Sequence, residues 1–304
     1  MKRLLILVYT LAFTAGSVCA QHSEIWRNVS YADDTLTGHR MDISLPEKGE
    51  APYPVVVVIA GNAWFGNDPK ERDYQVMGTP LLEAGYAVVA INHRSSREAI
   101  FPAQINDVKA AVRFIRANAS TYGLDADFIG ITGNSSGGHL SAMMGTTGGV
   151  DSHSIGAHTL SLEGSLGTFS EQSSRVDAVV DWYGPTTFQA MDACAGRSFH
   201  DAADSPESTL IGGPIQENDE LSALADPITY VDPTDPPFLI LHGDADPLVP
   251  HCQSELLYEA LHDNGVQSTL VIVPGAGHDD GMWVDPYPGQ MVSFFDAHKA
   301  RKRE

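Results

Sequence analysis

The chain has 304 residues, 43% of them hydrophobic, which is enough to bury a sizeable core, and its 39 acidic against 18 basic side chains leave a formal net charge of −21. So acidic a surface repels nucleic-acid phosphates and anionic lipid head groups, so neither nucleic acid nor a lasting membrane attachment is expected as a partner. It suits a neutral substrate.

The first residues have the form of an export signal. Lys2 and Arg3 precede an apolar run, Leu4 to Phe13, that is too short to span a bilayer, and Val18-Cys19-Ala20 offers small residues for cleavage after Ala20. This predicts a signal over 1–20, a mature chain over 21–304 forming one catalytic domain, and a destination in the periplasm or the medium. Cys19 leaves with the signal. Cys194 and Cys252 remain, and an even pair in an exported chain predicts a disulfide.

Short β-branched runs then alternate with helical patterns, which predicts a largely parallel sheet covered on both faces. Val29–Tyr31 and Met41–Leu45 read as early antiparallel strands. Pro54–Ala60 carries a continuous apolar run, as expected of a strand buried on both sides. A helix ends at Leu81–Gly85, and Ala87–Asn92 is the next strand. Pro102–Tyr122 has apolar residues at helical spacing, with proline at its start and Gly123 after its end. Phe128–Thr132 is a strand, Ser136–Met144 a helix, and Val176–Trp182 a strand. The strands Phe238–His242 and Thr269–Val273 and the helices Glu255–His262 and Gly289–His298 complete the pattern. Two stretches, 146–174 and 185–235, break the alternation and read as surface or substrate loops.

Gly133-Asn134-Ser135-Ser136-Gly137 is a G-x-S-x-G sequence lying directly between the strand FIGIT and the helix SGGHLSAMM. That setting is the one in which a sharp turn exposes a serine hydroxyl beside the positive end of a helix. A serine hydroxyl needs a base, and the base needs an orienting carboxylate. Both follow in the chain, each after a strand: Asp246, in His242-Gly243-Asp244-Ala245-Asp246, and His278, in Pro274-Gly275-Ala276-Gly277-His278. Asp246 is preferred to Asp244, which reads as a turn cap. His139, His242 and His251 read as packing or capping groups. Together Ser135, Asp246 and His278 form a catalytic triad in the order required by the α/β-hydrolase fold. The oxyanion hole is expected from the Ser136 backbone amide and from Asn62 and Ala63 in the loop after the Pro54–Ala60 strand. No histidine–cysteine cluster has zinc spacing, so neither metal nor cofactor is expected. Trp64 and Trp283 lie near these loops as candidate substrate-binding aromatics, whereas Trp182 reads as core.

These residues resemble the α/β-hydrolase esterases grouped around bifunctional feruloyl and acetylxylan esterases, near the hormone-sensitive-lipase-like carboxylesterases. The resemblance runs from about Tyr31 to His278, through the stretch from AINHRSS to SSGGHLSAMMGT and through VDAVVDWYGPTTF, LIGGPI, DPPFLILHGDADPLVPHC and VPGAGH. It implies the same triad, and acetyl, feruloyl or other short or aromatic acyl esters on plant-polysaccharide chains as substrates. One departure concerns the oxyanion loop, usually His-Gly-Gly-x-Trp in the family. Here Ala60 replaces the histidine and Asn62 the second glycine, while Gly61 and Trp64 match. Two other readings fit the same motifs: an amide hydrolase of the arylformamidase or peptidase type, and a non-catalytic binding protein on this scaffold.

Overall fold

In the computed structural model, which describes residues 25–70, 73–195 and 199–302, the continuous apolar runs form the centre of an eight-stranded sheet. The signal expected over 1–20 lies outside the described residues. Two antiparallel strands, β1 (Ile25–Ser30) and β2 (Arg40–Ser44), open the sheet. Then come β3 (Tyr53–Ile59), helix α1 (Tyr74–Glu83), β4 (Ala87–Ile91), α2 (Ala103–Ala117), β5 (Leu124–Asn134) and α3 (Ser136–Thr146). A hairpin of β6 (Ser152–Ile155) and β7 (His158–Ser161) follows, then β8 (Ala178–Trp182) and three short helices, α4 (Met191–Ala195), α5 (Pro206–Ile211) and α6 (Asp219–Ala225). The chain closes with β9 (Phe238–Gly243), α7 (Cys252–Asp263), β10 (Ser268–Val273) and α8 (Tyr287–Lys302).

The sheet order is β1-β2-β4-β3-β5-β8-β9-β10, parallel from β4 onward. Every residue of β3, β4, β8 and β9 is buried, as the unbroken apolar sequence requires when helices cover both faces. The edge strands β1 and β10 are only partly buried. The predicted helix from Pro102 stops at Ala117, where Asn118 leaves the helical conformation (φ −109°, ψ 14°); a separate 3-10 turn follows at Ala119–Thr121. Among the described residues, no helix is long and apolar enough to cross a membrane.

Both stretches expected as loops contain regular structure. In the first, β6 and β7 pair around Gly156-Ala157, with Gly156 in a left-handed conformation (φ +55°). The Glu220 carboxylate accepts from the Ala157 amide at 2.9 Å and so ties the hairpin to α6. The Glu163 carboxylate, just beyond β7, pairs with Lys109 (3.1 Å) and Arg113, two buried cations on α2. The second stretch supplies Phe188, Leu210, Ile211, Ile215 and Tyr230 to the main core.

Cys194 of α4 and Cys252 of α7 are joined by a disulfide, with their Cα atoms 6.3 Å apart and a sequence separation of 58. Closing a loop of that length removes denatured-state entropy worth about 4 kcal/mol. Replacing both cysteines with serine is therefore expected to lower the unfolding free energy by up to about 4 kcal/mol in urea melts. Adding reductant should erase the difference between the two proteins. A double variant as stable as the oxidised wild type would contradict this.

Candidate active site

The site lies at the carboxyl ends of the parallel strands, where open α/β sheets hold their chemistry. Ser135 follows β5 and precedes α3. Its backbone is at φ +54° and ψ −124°, a strained conformation for a residue with a Cβ. It is held there by Ser135 N–H donating to the Trp182 carbonyl (2.8 Å) and by the Ser135 carbonyl accepting from His139 N–H (3.0 Å). The flanking glycines are sterically required: a Cβ on Gly137 would lie 2.1 Å from the Ile59 oxygen, and one on Gly133 2.4 Å from the Gly137 oxygen.

The loop after β3 runs over this turn. Gly61 N–H donates to Asn134 Oδ1 at 2.8 Å, and a Cβ on Gly61 would meet the Asn134 carbonyl at 2.5 Å. Ala63 and Trp64 are both left-handed, at φ +55° and +57°. The Ala63 and Ser136 amides have no hydrogen-bond partner among the described residues, and Ser136 N–H is one of the unpaired donors at the start of α3. Asn62 was expected as a third donor. Its amide is instead committed to Ser136 Oγ at 2.9 Å, and its side chain donates to the Gly66 carbonyl at 3.2 Å. The loop thus offers Ala63 as its open amide.

Asp246, after β9, and His278, after β10, meet through His278 Nδ1 and Asp246 Oδ2 at 2.8 Å. The other carboxylate oxygen accepts the Leu248 and Val249 amides at 2.7 and 3.0 Å. Burial opposes ionisation of Asp246, but the hydrogen bonds from His242, His278 and the backbone outweigh it and hold the carboxyl well below the usual range. With Nδ1 engaged, Nε2 is the ring atom left to act as a base. No hydrogen bond joins Ser135 Oγ to His278 among the described residues; in unliganded sites such contacts are often long and tighten in the complex. Asp244 accepts the Gly275 amide at 2.6 Å, as a turn cap does.

Of the two tryptophans expected to bind substrate, Trp64 is buried. Its indole N–H donates to His139 Nδ1 at 3.2 Å, and its ring packs edge-on against His139 and Phe188. It is an anchor of the loop, and the matching Trp in the motif reflects packing. Trp283 is half-buried, 4.6 Å from the Trp182 ring and 6.1 Å from that of Tyr183, which itself lies 4.7 Å from His278. His139 bonds the Ala225 carbonyl through Nε2 (2.8 Å), and burial pushes its pKa down to about 4. His242 is buried against Ser254 and Val249, and His251 faces Glu255 at 3.8 Å. The site also holds Asn134, which was not expected from sequence and whose side chain reaches the oxyanion loop, and Tyr183 and Asp279, which are hydrogen-bonded to each other. The position of Asn134 inside the motif was the available signal. A cavity of about 830 Å³ lined by Arg27, Asp42 and Tyr74 includes none of the three triad candidates.

A mostly parallel sheet with a strained serine after its central strand, and an acid and a histidine on later strand ends, defines the α/β-hydrolase fold. The chain belongs to the BD-FAE family, whose model matches residues 41–261. Among curated proteins it is similar to Esterase LipQ of Mycobacterium tuberculosis, 32% identical over 74% of this chain and 50% of that one. It is similar also to Esterase LipC of the same organism, 30% identical over 90% of this chain and 66% of that one. The chain thus spans about half the length of LipQ and of the related LipM. Among solved structures, a truncated carbohydrate esterase from gut microbiota superposes with TM-score 0.89 at 46% identity, over 94% of this chain and 99% of that one. A bifunctional GH43-CE protein of Bacteroides eggerthii gives TM-score 0.86 at 50% identity, over 92% of this chain and 38% of that one.

Below the site, Asp181 on β8 is fully buried, and its Oδ1 accepts the Gly184 amide at 2.9 Å. Burial raises its pKa to about 7, the Gly184 bond only partly opposing. The folded protein therefore holds a proton that the unfolded chain releases between about pH 4 and 7, so this group makes stability fall as the pH rises through that window. Asp181→Asn keeps the acceptor and removes the charge. Its melting temperature is expected to gain on the wild type as the pH is raised from about 5 to about 8. A difference independent of pH would contradict the assignment.

Proposed function

We propose that the protein is a serine carboxylic-ester hydrolase that works through an acyl-enzyme. The observation that carries this reading is the Asp246–His278 pair at 2.8 Å, together with a serine held at φ +54° at the end of the central strand. The two unpaired amides of Ala63 and Ser136 and the esterases among its relatives support it. Ser135 Oγ attacks the ester carbonyl while His278 takes its proton, and the oxyanion forms against the Ala63 and Ser136 amides. Asp246 keeps the imidazole oriented and stabilises its charged form. His278 then returns the proton to the leaving alcohol as the C–O bond breaks. Water deprotonated by His278 attacks the acyl-serine, and collapse of that intermediate frees the acid and restores Ser135.

The proposed substrates are acetyl, feruloyl or other short or aromatic acyl esters on carbohydrate. The family match and the carbohydrate esterase relatives support this class. Half-exposed Trp283, packed against Trp182 and edge-on to Tyr183 next to His278, offers a platform for a sugar or an aromatic acid. The leader-like sequence and the Cys194–Cys252 bond support action outside the cytoplasm.

A fluorophosphonate probe is expected to label the wild type and not Ser135→Ala, and turnover of an aryl acetate should fall at least about 10⁴-fold in that variant. Asp246→Asn should lose about 10⁴-fold in kcat with its fold retained. Equal labelling of wild type and Ser135→Ala would overturn the nucleophile assignment.

A further inference from the structure

We propose that the Asn134 carboxamide is a positioning residue that locks the oxyanion loop and the base loop onto the nucleophile turn. The inference rests on the ester-hydrolase reading above. Asn134 is 2% exposed and both ends of its amide are used. Oδ1 accepts Gly61 N–H at 2.8 Å, two residues before the open Ala63 amide. Nδ2 faces three acceptors: Asp73 Oδ2 at 3.1 Å, the Tyr183 hydroxyl at 3.3 Å and Asp279 Oδ1 at 3.4 Å. Tyr183 in turn donates to Asp279, the immediate neighbour of His278.

The backbone around this one side chain is unusual. Among the described residues, the left-handed non-glycine positions are Asn28, Asp33, Ala63, Trp64, Asp73, Ser135, Tyr183 and Asp279. The last six all lie in segments that converge on Asn134. A residue with a Cβ relaxes out of that conformation unless its surroundings hold it. Three of these segments, those of Gly61-Asn62-Ala63, Asp73 and Tyr183–Asp279, are joined by one amide that presents an acceptor to a backbone N–H and donors to a cluster of carboxylates and a phenol. Aspartate would keep the acceptor and set a further negative charge against Asp73 and Asp279. Alanine would supply neither. Release of the hold moves the Ala63 amide and His278 together, so the loss falls on the transition state rather than on substrate binding.

The test compares wild type, Asn134→Ala, Asn134→Asp and Ser135→Ala on an aryl acetate and with a fluorophosphonate probe. Both Asn134 variants are expected to lose roughly 10- to 100-fold in kcat with KM within about threefold, and to label correspondingly slowly. Tyr183→Phe combined with Asn134→Ala should cost less than the product of the single effects, because both act through Asp279. Should Asn134→Ala fail to fold, the near-isosteric Asn134→Asp carries the test with melting temperature as its control. A wild type that neither turns over nor labels would defeat the hydrolase reading. An active wild type matched in kcat by folded Asn134→Ala or Asn134→Asp would overturn this inference alone.

Discussion

Everything at the site follows from a lack of room between the nucleophile turn and the end of β3. The Ile59 oxygen occupies the space that a side chain on Gly137 would fill, and Gly133 and Gly61 face similar walls. Only hydrogen fits there, so α3 begins in contact with the strand beside it. Along its length Gly138 meets Asp181 and Gly145 meets Phe238 in the same way, and all of α3 is buried. The Ser136 amide and the loop after β3 therefore share one small volume above Ser135. The oxyanion site comes from this packing of backbone on backbone.

The central strands were legible because burial on both faces leaves an unmistakable run of apolar residues, as in β3 and β9. The G-x-S-x-G turn was legible because its steric demands select glycine. Less visible were features settled by distant partners. The β6–β7 hairpin exposes most of its side chains, so alternation carries little signal, and its hold on the molecule comes from Glu220 and from Lys109 and Arg113, which bind Glu163 just beyond it. The 185–235 stretch adds its core residues singly from short helical turns, and periodicity never builds up. Trp64 looked like a surface aromatic because nothing local announces His139 and Phe188 as its pocket. Asn62 lost its expected role to a hydroxyl 74 residues away.

The acidic composition also hides a local reversal. Lys109 and Arg113 are both buried on α2 and face the single Glu163 carboxylate, while Lys109 also donates to the Thr147 carbonyl and Arg113 to those of Glu163 and Leu166. Burial lowers the pKa of Lys109 and Glu163 opposes it. Removing one partner of such a cluster strands the remaining charge away from water, which is costly. The segment after α3 is thereby tied to α2 by charge as well as by apolar contacts such as that of buried Leu162 with the main core.

His139 places an acid-sensitive group beneath the site. Its ring bridges the oxyanion loop, through Trp64, to the end of α6, through Ala225, and both nitrogens are occupied. Its pKa is near 4 instead of 6.5, so on acidification the unfolded chain takes up a proton before the folded one does. Stability drains away as the pH falls from about 6.5 towards 4. Once the ring is protonated, Nδ1 can no longer accept from the Trp64 indole, and one of the bonds that anchor the loop is lost. A buried histidine one layer beneath the reacting atoms thus adds its own acid sensitivity to that of the hydrogen-bonded carboxylates.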